Sequence, residues 1–213
     1  TDLLNSYFTE MSGIALKHGG TIDKFIGDAI MIFFGDPTSR GAREDALACV
    51  SMAIEMRKKV ATLHRQWRKY GVTKPVQIRM GINTGYCTVG NFGAESRMDY
   101  TIIGKEVNLA SRLESHAKPD QILISEPVYN LVTNTIMCRS HGNISVKGFS
   151  QPVPIFNVIN FRKDLGATRS FLECELNGFA MHMDFDELKP ADRDRVVKVL
   201  ETATERVKAR VIG

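Results

Sequence analysis

An α+β domain of mostly antiparallel strands, with helices covering one side, is the fold class this sequence predicts. Two short apolar runs reverse about Gly27-Asp28, a long segment over residues 43–68 keeps helical spacing, and from Val76 onward strand-like segments alternate with short helical ones. The 213 residues are 43% hydrophobic and 24% charged, enough to bury the core of one domain with an appended element.

Leu3, Leu4, Tyr7, Phe8, Met11 and Ile14 recur at helical intervals and predict an amphipathic helix. It ends near His18-Gly19-Gly20, where a glycine accepts a left-handed cap. The sequence opens inside that pattern, so a first strand and the start of this helix are expected upstream of Thr1. Residues 21–25 and 29–34 predict an antiparallel hairpin closed by Gly27-Asp28. After Gly35-Asp36-Pro37, the 43–68 helix has Ala46, Leu47, Val50, Ile54, Val60, Leu63 and Trp67 as its buried stripe and a charged solvent face opposite. Alternation over 76–82 predicts a strand with one covered face, Asn83-Thr84-Gly85 a turn, and 86–89 the next strand. Gly90-Asn91-Phe92-Gly93 reads as a loop. Its Phe92 is either tucked back or presented as an apolar contact of an oligomer arm.

Residues 100–103 predict a strand ending at Gly104, and 105–115 a helix with Val107, Ala110 and Leu113 on its apolar side. Asn108 and Arg112, four apart, share another face of that helix. Residues 121–124 predict a strand, and Ser125 caps a short helix with Pro127 in its first turn. Residues 144–147 and 153–159 complete the sheet. The expected domain is thus 1–160, lacking its first strand, and 161–213 is a C-terminal extension with a strand over 171–176 and a helix over 192–210. In that helix Val196, Leu200, Val207 and Val211 fall near helical spacing.

Composition excludes several functions. A net charge of +4, dispersed and without an Arg/Lys stripe interleaved with aromatics, argues against nucleic acid. The longest apolar run, Ala29 to Phe34, is far short of the roughly 20 residues that cross a bilayer, and no secretory signal is visible. Cys49, Cys87, Cys138 and Cys174 are widely spaced with no CxxC, which reads as reduced packing thiols of a cytosolic compartment.

The chemistry concentrates at two places. Lys24, Gly27 and Asp28 sit at a tight reversal where the N–H groups of Phe25, Ile26 and Gly27 suit a metal-bound polyphosphate. One carboxylate is insufficient for a two-metal site; Asp23 is adjacent, but its alternating position points it elsewhere. Taken alone, an Asp in such a turn is more often a local backbone cap. Asn108 and Arg112 together suit the sugar and phosphate of one nucleotide, or, taken alone, surface hydrogen bonding. Lys147, in Val146-Lys147-Gly148, suits a phosphate or solvent.

The runs from Leu4-Asn5 through Phe8, DKFIGDAIMIFFGDP at 23–37, IRMGINTGYCTVGNFG at 78–93, YTIIGKEVNLASRLE at 100–114 and VKGF at 146–149 resemble the catalytic domain of class III nucleotidyl cyclases. The resemblance is strongest to bacterial adenylyl cyclases and spans about residues 1–160. It implies a ferredoxin-like class III cyclase core, and head-to-tail homodimers with shared sites at the interface. It also implies conversion of ATP to 3′,5′-cyclic AMP and pyrophosphate with Mg²⁺ or Mn²⁺, two ions per complete site. By the same resemblance Asp28 is a metal-binding carboxylate, and the backbone of Phe25, Ile26 and Gly27 approaches the phosphates. Lys24 and Thr101 read the base, Asn108 orients the ribose, Arg112 stabilises the transition state and Lys147 binds the triphosphate.

Lys24 can donate to adenine N1 while Thr101 accepts from its amine; guanine presents the reverse polarity. The Lys/Thr pair therefore favours an adenylyl over a guanylyl cyclase, although Thr stands where mammalian adenylyl cyclases carry Asp. The family's first metal-binding Asp, in a Phe-x-Asp-like motif, is expected on the strand before Thr1. A guanylyl cyclase and a non-catalytic nucleotide-binding or dimerisation module are the alternatives. A diguanylate cyclase fits less well, because residues 26–28 lack that family's glycine-rich acidic signature. The resemblance places this portion in the cytoplasm, behind a sensory or membrane region of the same polypeptide.

Overall fold

Apolar residues at helical spacing make α1 (Asp2–Lys17) and α2 (Ala42–Trp67) the long elements of the first part of the chain. The structure is a computed structural model that describes residues 1–68, 71–72, 74, 76–165, 171–176, 179–184 and 188–210. The chain divides into two compact units, Thr1–Phe161 and Arg162–Gly213.

In the first unit α2 has two apolar faces. Met52, Met56, Val60, Leu63 and Trp67 pack with Met11, Ile14 and Ala15 of α1, while Ala46, Val50, Ala53 and Ile54 pack on the central sheet. That sheet has the order β3-β6-β8-β7, formed by β3 (Met80–Ile82), β6 (Ile122–Ser125), β8 (Val153–Phe161) and β7 (Ile136–Ile144). The β3–β6 pairing is parallel and the other two are antiparallel.

Every residue of β6 is buried, so the strand shows no exposed face. Ile122 and Ile124 meet α2 and α4 (Glu126–Val132), while Leu123 meets Leu109 and Leu113 of α3 (Lys105–His116). Helices therefore cover both faces of this strand, where the sequence reading expected one. Gly81 permits the closest approach: a Cβ there would collide with the backbone of Ala110 and Glu114 in α3.

Two antiparallel hairpins complete the unit: β1 (Thr21–Ile26) with β2 (Ala29–Phe33), and β4 (Thr88–Ala94) with β5 (Arg97–Ile103). The stretch Gly90–Gly93, expected as a loop, lies within β4, with Phe92 opposite Asp99 and half-buried. Its ladder supplies the backbone pairing that the glycines' conformational freedom disfavours. Strand β7 was also hidden, because Arg139, Ser140, His141, Gly142 and Asn143 interrupt its apolar pattern although it pairs along β8 from Ile136 to Ile144. Conversely, only 80–82 of the predicted 76–82 strand form a ladder. Ser125 occupies the N-cap of α4 but makes no side-chain cap; its hydroxyl donates instead to Asn83 Oδ1 at 2.6 Å.

The second unit contains α5 (Arg162–Leu165), the antiparallel pair β9 (Phe171–Leu176) and β10 (Phe179–Asp184), a 3₁₀ turn at Pro190–Asp192 and α6 (Arg193–Arg210). The predicted strand and helix are present and β10 is additional. Leu200 and Val207 of α6 are exposed, and Val211 lies outside the described residues. Among the described residues no helix is long and apolar enough to cross a membrane. Among the described residues Cys49, Cys87 and Cys138 form no disulfide, and burial pushes the Cys49 thiol up to about 12; the Cys174 side chain is outside the described residues.

Candidate functional site

The β1–β2 hairpin reverses in two residues, since Ile26 pairs directly with Ala29. Gly27 has φ +64°, and Asp28, the second loop residue, does not share a positive φ, which is where a type II′ turn takes its glycine. A Cβ at Gly27 would meet nothing within 4 Å, so the requirement there is conformational rather than steric. Phe25 and Ile26 are 49% and 58% exposed, and Gly27 and Asp28 are exposed beside them. The Phe25 ring lies 4.5 Å from that of Phe8, fastening this face of the hairpin to α1. Burial, and then the charge of Asp28, holds the Tyr7 phenol above its ordinary range.

One irregularity of the ladder determines where Lys24 goes. Ile22 pairs with Ile32 and Lys24 with Met31, so Asp23 is an extra residue on β1, a β-bulge. Because Ile32 and Met31 point to opposite faces, Ile22 and Lys24 do as well. Ile22 packs in the α1 cluster, and Lys24 is carried to the other face.

The same bulge buries the Asp23 side chain, which is 0% exposed. Its Oδ2 accepts from the Thr101 hydroxyl at 2.6 Å and from the Ile102 amide at 3.4 Å, tying β1 to β5. Its Oδ1 lies 3.4 Å from Lys24 Nζ and has no hydrogen bond. Lys24 and Thr101 therefore meet at one corner, with Asp23 between them. Asp23 was missed as a site residue from sequence; the available signal was a carboxylate inside a strand, between Ile22 and the Lys24-Phe25 pair. The Tyr100 hydroxyl adds a second tie, donating to Asp36 just beyond β2.

Strand β5 leads through Gly104 into α3. Leu109 and Leu113 anchor that helix against Leu123, Ile144, Val146 and Ile155. Asn108 and Arg112, one residue before each anchor, stand exposed on the adjoining face. Lys147 is exposed between Val146, which is buried in that cluster, and the glycine before Phe149, which packs on it. The Lys105 ammonium sits 5.7 Å from the centre of the Phe149 ring, joining the VKGF segment to the start of α3. Asn108, Arg112 and Lys147 thus share one apolar mount.

Asp28 is not part of that group. Among the described residues no hydrogen bond or ion pair joins its side chain to Asn108, Arg112 or Lys147, and no cluster of three or more His, Cys, Asp or Glu residues is arranged to hold a metal.

Comparison with known proteins gives a consistent picture. Residues 1–160 match the family model described as the adenylate and guanylate cyclase catalytic domain. The chain is similar to the terminal-differentiation-specific adenylate cyclase of Dictyostelium discoideum, with 35% identity over 168 residues, covering 76% of this chain and 8% of that protein. It thus spans a small part of that curated relative's length. Among solved structures, the adenylyl cyclase CyaB from P. aeruginosa superposes with a TM-score of 0.75 and 65% identity, covering 78% of this chain and 85% of that one. The guanylyl cyclase Cya2 superposes with a TM-score of 0.70 and 36% identity, covering 75% and 80% respectively.

Proposed function

Because the chain belongs to the adenylate and guanylate cyclase catalytic domain family, we propose that it converts ATP to 3′,5′-cyclic AMP and pyrophosphate. The observation that carries the choice of ATP is the corner where β1 meets β5. Lys24 offers a donor there and Thr101 a hydroxyl oxygen, side by side, matching the acceptor and donor on the adenine edge.

The ribose 3′-oxygen attacks the α-phosphorus in line and pyrophosphate leaves. Asn108 orients the ribose, Lys147 holds the triphosphate, and the Arg112 guanidinium counters charge growing on the phosphoryl oxygens. The backbone of Phe25, Ile26 and Gly27 at the hairpin tip approaches the polyphosphate. Since Asp28 is not joined to Asn108 or Arg112 within one chain, we place the complete site between two copies paired head to tail, the exposed tip of one facing the exposed α3 surface of the other.

Class III cyclases use divalent metal ions, and we infer Mg²⁺ or Mn²⁺ here, two per complete site. Asp28 fits as one ligand, since Mg²⁺ is commonly held by one or two carboxylates with phosphate oxygens and water. Asp23 does not fit, being buried and engaged with Thr101 and Lys24. We assign the second carboxylate to the strand expected before Thr1. Such ions, when bound, lower the pKa of the attacking hydroxyl and neutralise the polyphosphate. The catalytic portion is proposed to work in the cytoplasm under an upstream sensory or membrane region.

Product identification from ATP and from GTP, with the intact polypeptide and Mg²⁺ or Mn²⁺, tests this reading. Cyclic AMP is expected. A predominance of cyclic GMP would establish the guanylyl alternative, and nucleotide binding without product would leave a binding module. Arg112→Ala is expected to lower turnover by about 10²-fold or more, and near-normal cyclisation by that variant removes Arg112 from its role.

A further inference from the structure

We propose that Asp23 is a specificity-determining positioning residue, which fixes the hydrogen-bonding polarity of both groups that read the base. This rests on the reading of Lys24 and Thr101 as base readers given above.

A threonine hydroxyl carries one proton and two acceptor lone pairs, so left to itself it can present either character to a ligand. Here the proton is committed. Thr101 is buried, and its hydroxyl donates to Asp23 Oδ2 at 2.6 Å. What remains for a nucleotide is lone pairs alone, which suit the 6-amino group of adenine and oppose the 6-oxo group of guanine.

The neighbours of Asp23 agree with an acceptor-only carboxylate. The Thr101 hydroxyl, the Ile102 amide and the Lys24 ammonium are all donors. Oδ1, buried and without a hydrogen bond, has Lys24 Nζ at 3.4 Å, which keeps the ammonium at the same corner as Thr101. One carboxylate therefore sets an acceptor with one oxygen and stations a donor with the other. A hydrophobic residue at position 23 would leave Thr101 free to turn its proton outward and accept a 6-oxo purine. The bulge makes this geometry available, because it puts a carboxylate of β1 inside the fold while its neighbour Lys24 remains 41% exposed.

Asp23→Asn is an informative substitution because an amide has one acceptor and one donor end. Whichever way it lies, one of the two arms meets the wrong polarity. The probes are ATP, GTP, purine riboside triphosphate, which lacks the 6-amino group, and 1-deaza-ATP, which lacks the N1 acceptor. The readout is the ratio of kcat/KM values, since a purely structural defect lowers all four nucleotides alike.

In Asp23→Asn we expect the preference for ATP over GTP, and over at least one of the two analogues, to fall by about tenfold, the scale of one net hydrogen bond. The analogue affected identifies the arm that broke. Unchanged ratios in a folded Asp23→Asn protein overturn the proposal. If that variant does not fold, Thr101→Val and Thr101→Ser decide. Loss of the 6-amino preference in the first and its retention in the second support the proposal, and any other pattern overturns it. Wild-type protein that makes no cyclic nucleotide defeats the functional reading itself. Active wild-type protein with unaltered variant ratios defeats this inference alone.

Discussion

Helix α3 and the tip of the β1–β2 hairpin both carry proposed site residues, yet they hold them by different means. On α3, Asn108 and Arg112 each stand next to a buried leucine, and the helix backbone is pressed against Gly81 from behind. At the hairpin tip Phe25, Ile26, Gly27 and Asp28 are all exposed, and position is set by backbone conformation with one ring contact to Phe8. Packing fixes the side chains proposed to orient a sugar and meet a developing charge. A turn presents backbone N–H groups, which need no side-chain packing to be aimed.

Three substitutions probe the contrast. The largest effect is expected from Leu113→Ala, since Leu113 is 0% exposed under the site face of α3. It should lower stability by about 2–5 kcal/mol in urea unfolding, with turnover falling alongside. A loss below about 1 kcal/mol, within the range of an exposed site, would mean that α3 is not held by its core. Gly27→Ala comes next. With φ +64° and open space around it, the cost is that of holding an alanine at positive φ, about 1–3 kcal/mol. The KM for ATP is expected to rise more than stability falls, and an unchanged KM would detach the tip from the polyphosphate.

The smallest effect belongs to a surface tie elsewhere in the unit. Glu55 of α2 accepts from Lys17 at 2.7 Å and pairs with His18 at 2.8 Å, and these hydrogen bonds, Lys17 first, hold its carboxyl below the usual 4.5. A lowered folded-state pKa stabilises the protein above the unfolded value, and that contribution is lost as pH falls from 4.5 through the folded value. Glu55→Gln should cost less than about 1 kcal/mol near neutral pH, because the pair is exposed. The difference should vanish in acid melts below the folded pKa; a difference that persists there would trace to packing instead of charge.

The same contrast governs what could be read from sequence. The buried stripe of α2, the hairpin turn and the Asn108/Arg112 spacing were legible because each follows from a local period or a local turn. Strand β7 was not, since its polar half is specified by pairing with β8 and not by its own pattern. The Gly90–Gly93 stretch was misread for the same reason: its conformation comes from residues 98–101 across the ladder. Asp23 escaped because strict alternation was assumed where the ladder slips by one residue. The nine residues singled out for chemistry were found by their types and by resemblance, while the link between two of them was a tertiary fact.

The bulge at Asp23 also means that the two arms of the hairpin are of unequal length in residues. Excision of Asp23 would even the count and give an ideal ladder, locally more regular than the natural one. It would leave Lys24 opposite Met31 and erase the carboxylate that holds Thr101. Regularity and usefulness are opposed at this strand, and a design effort guided by ideal sheet geometry alone would remove the feature that aims it.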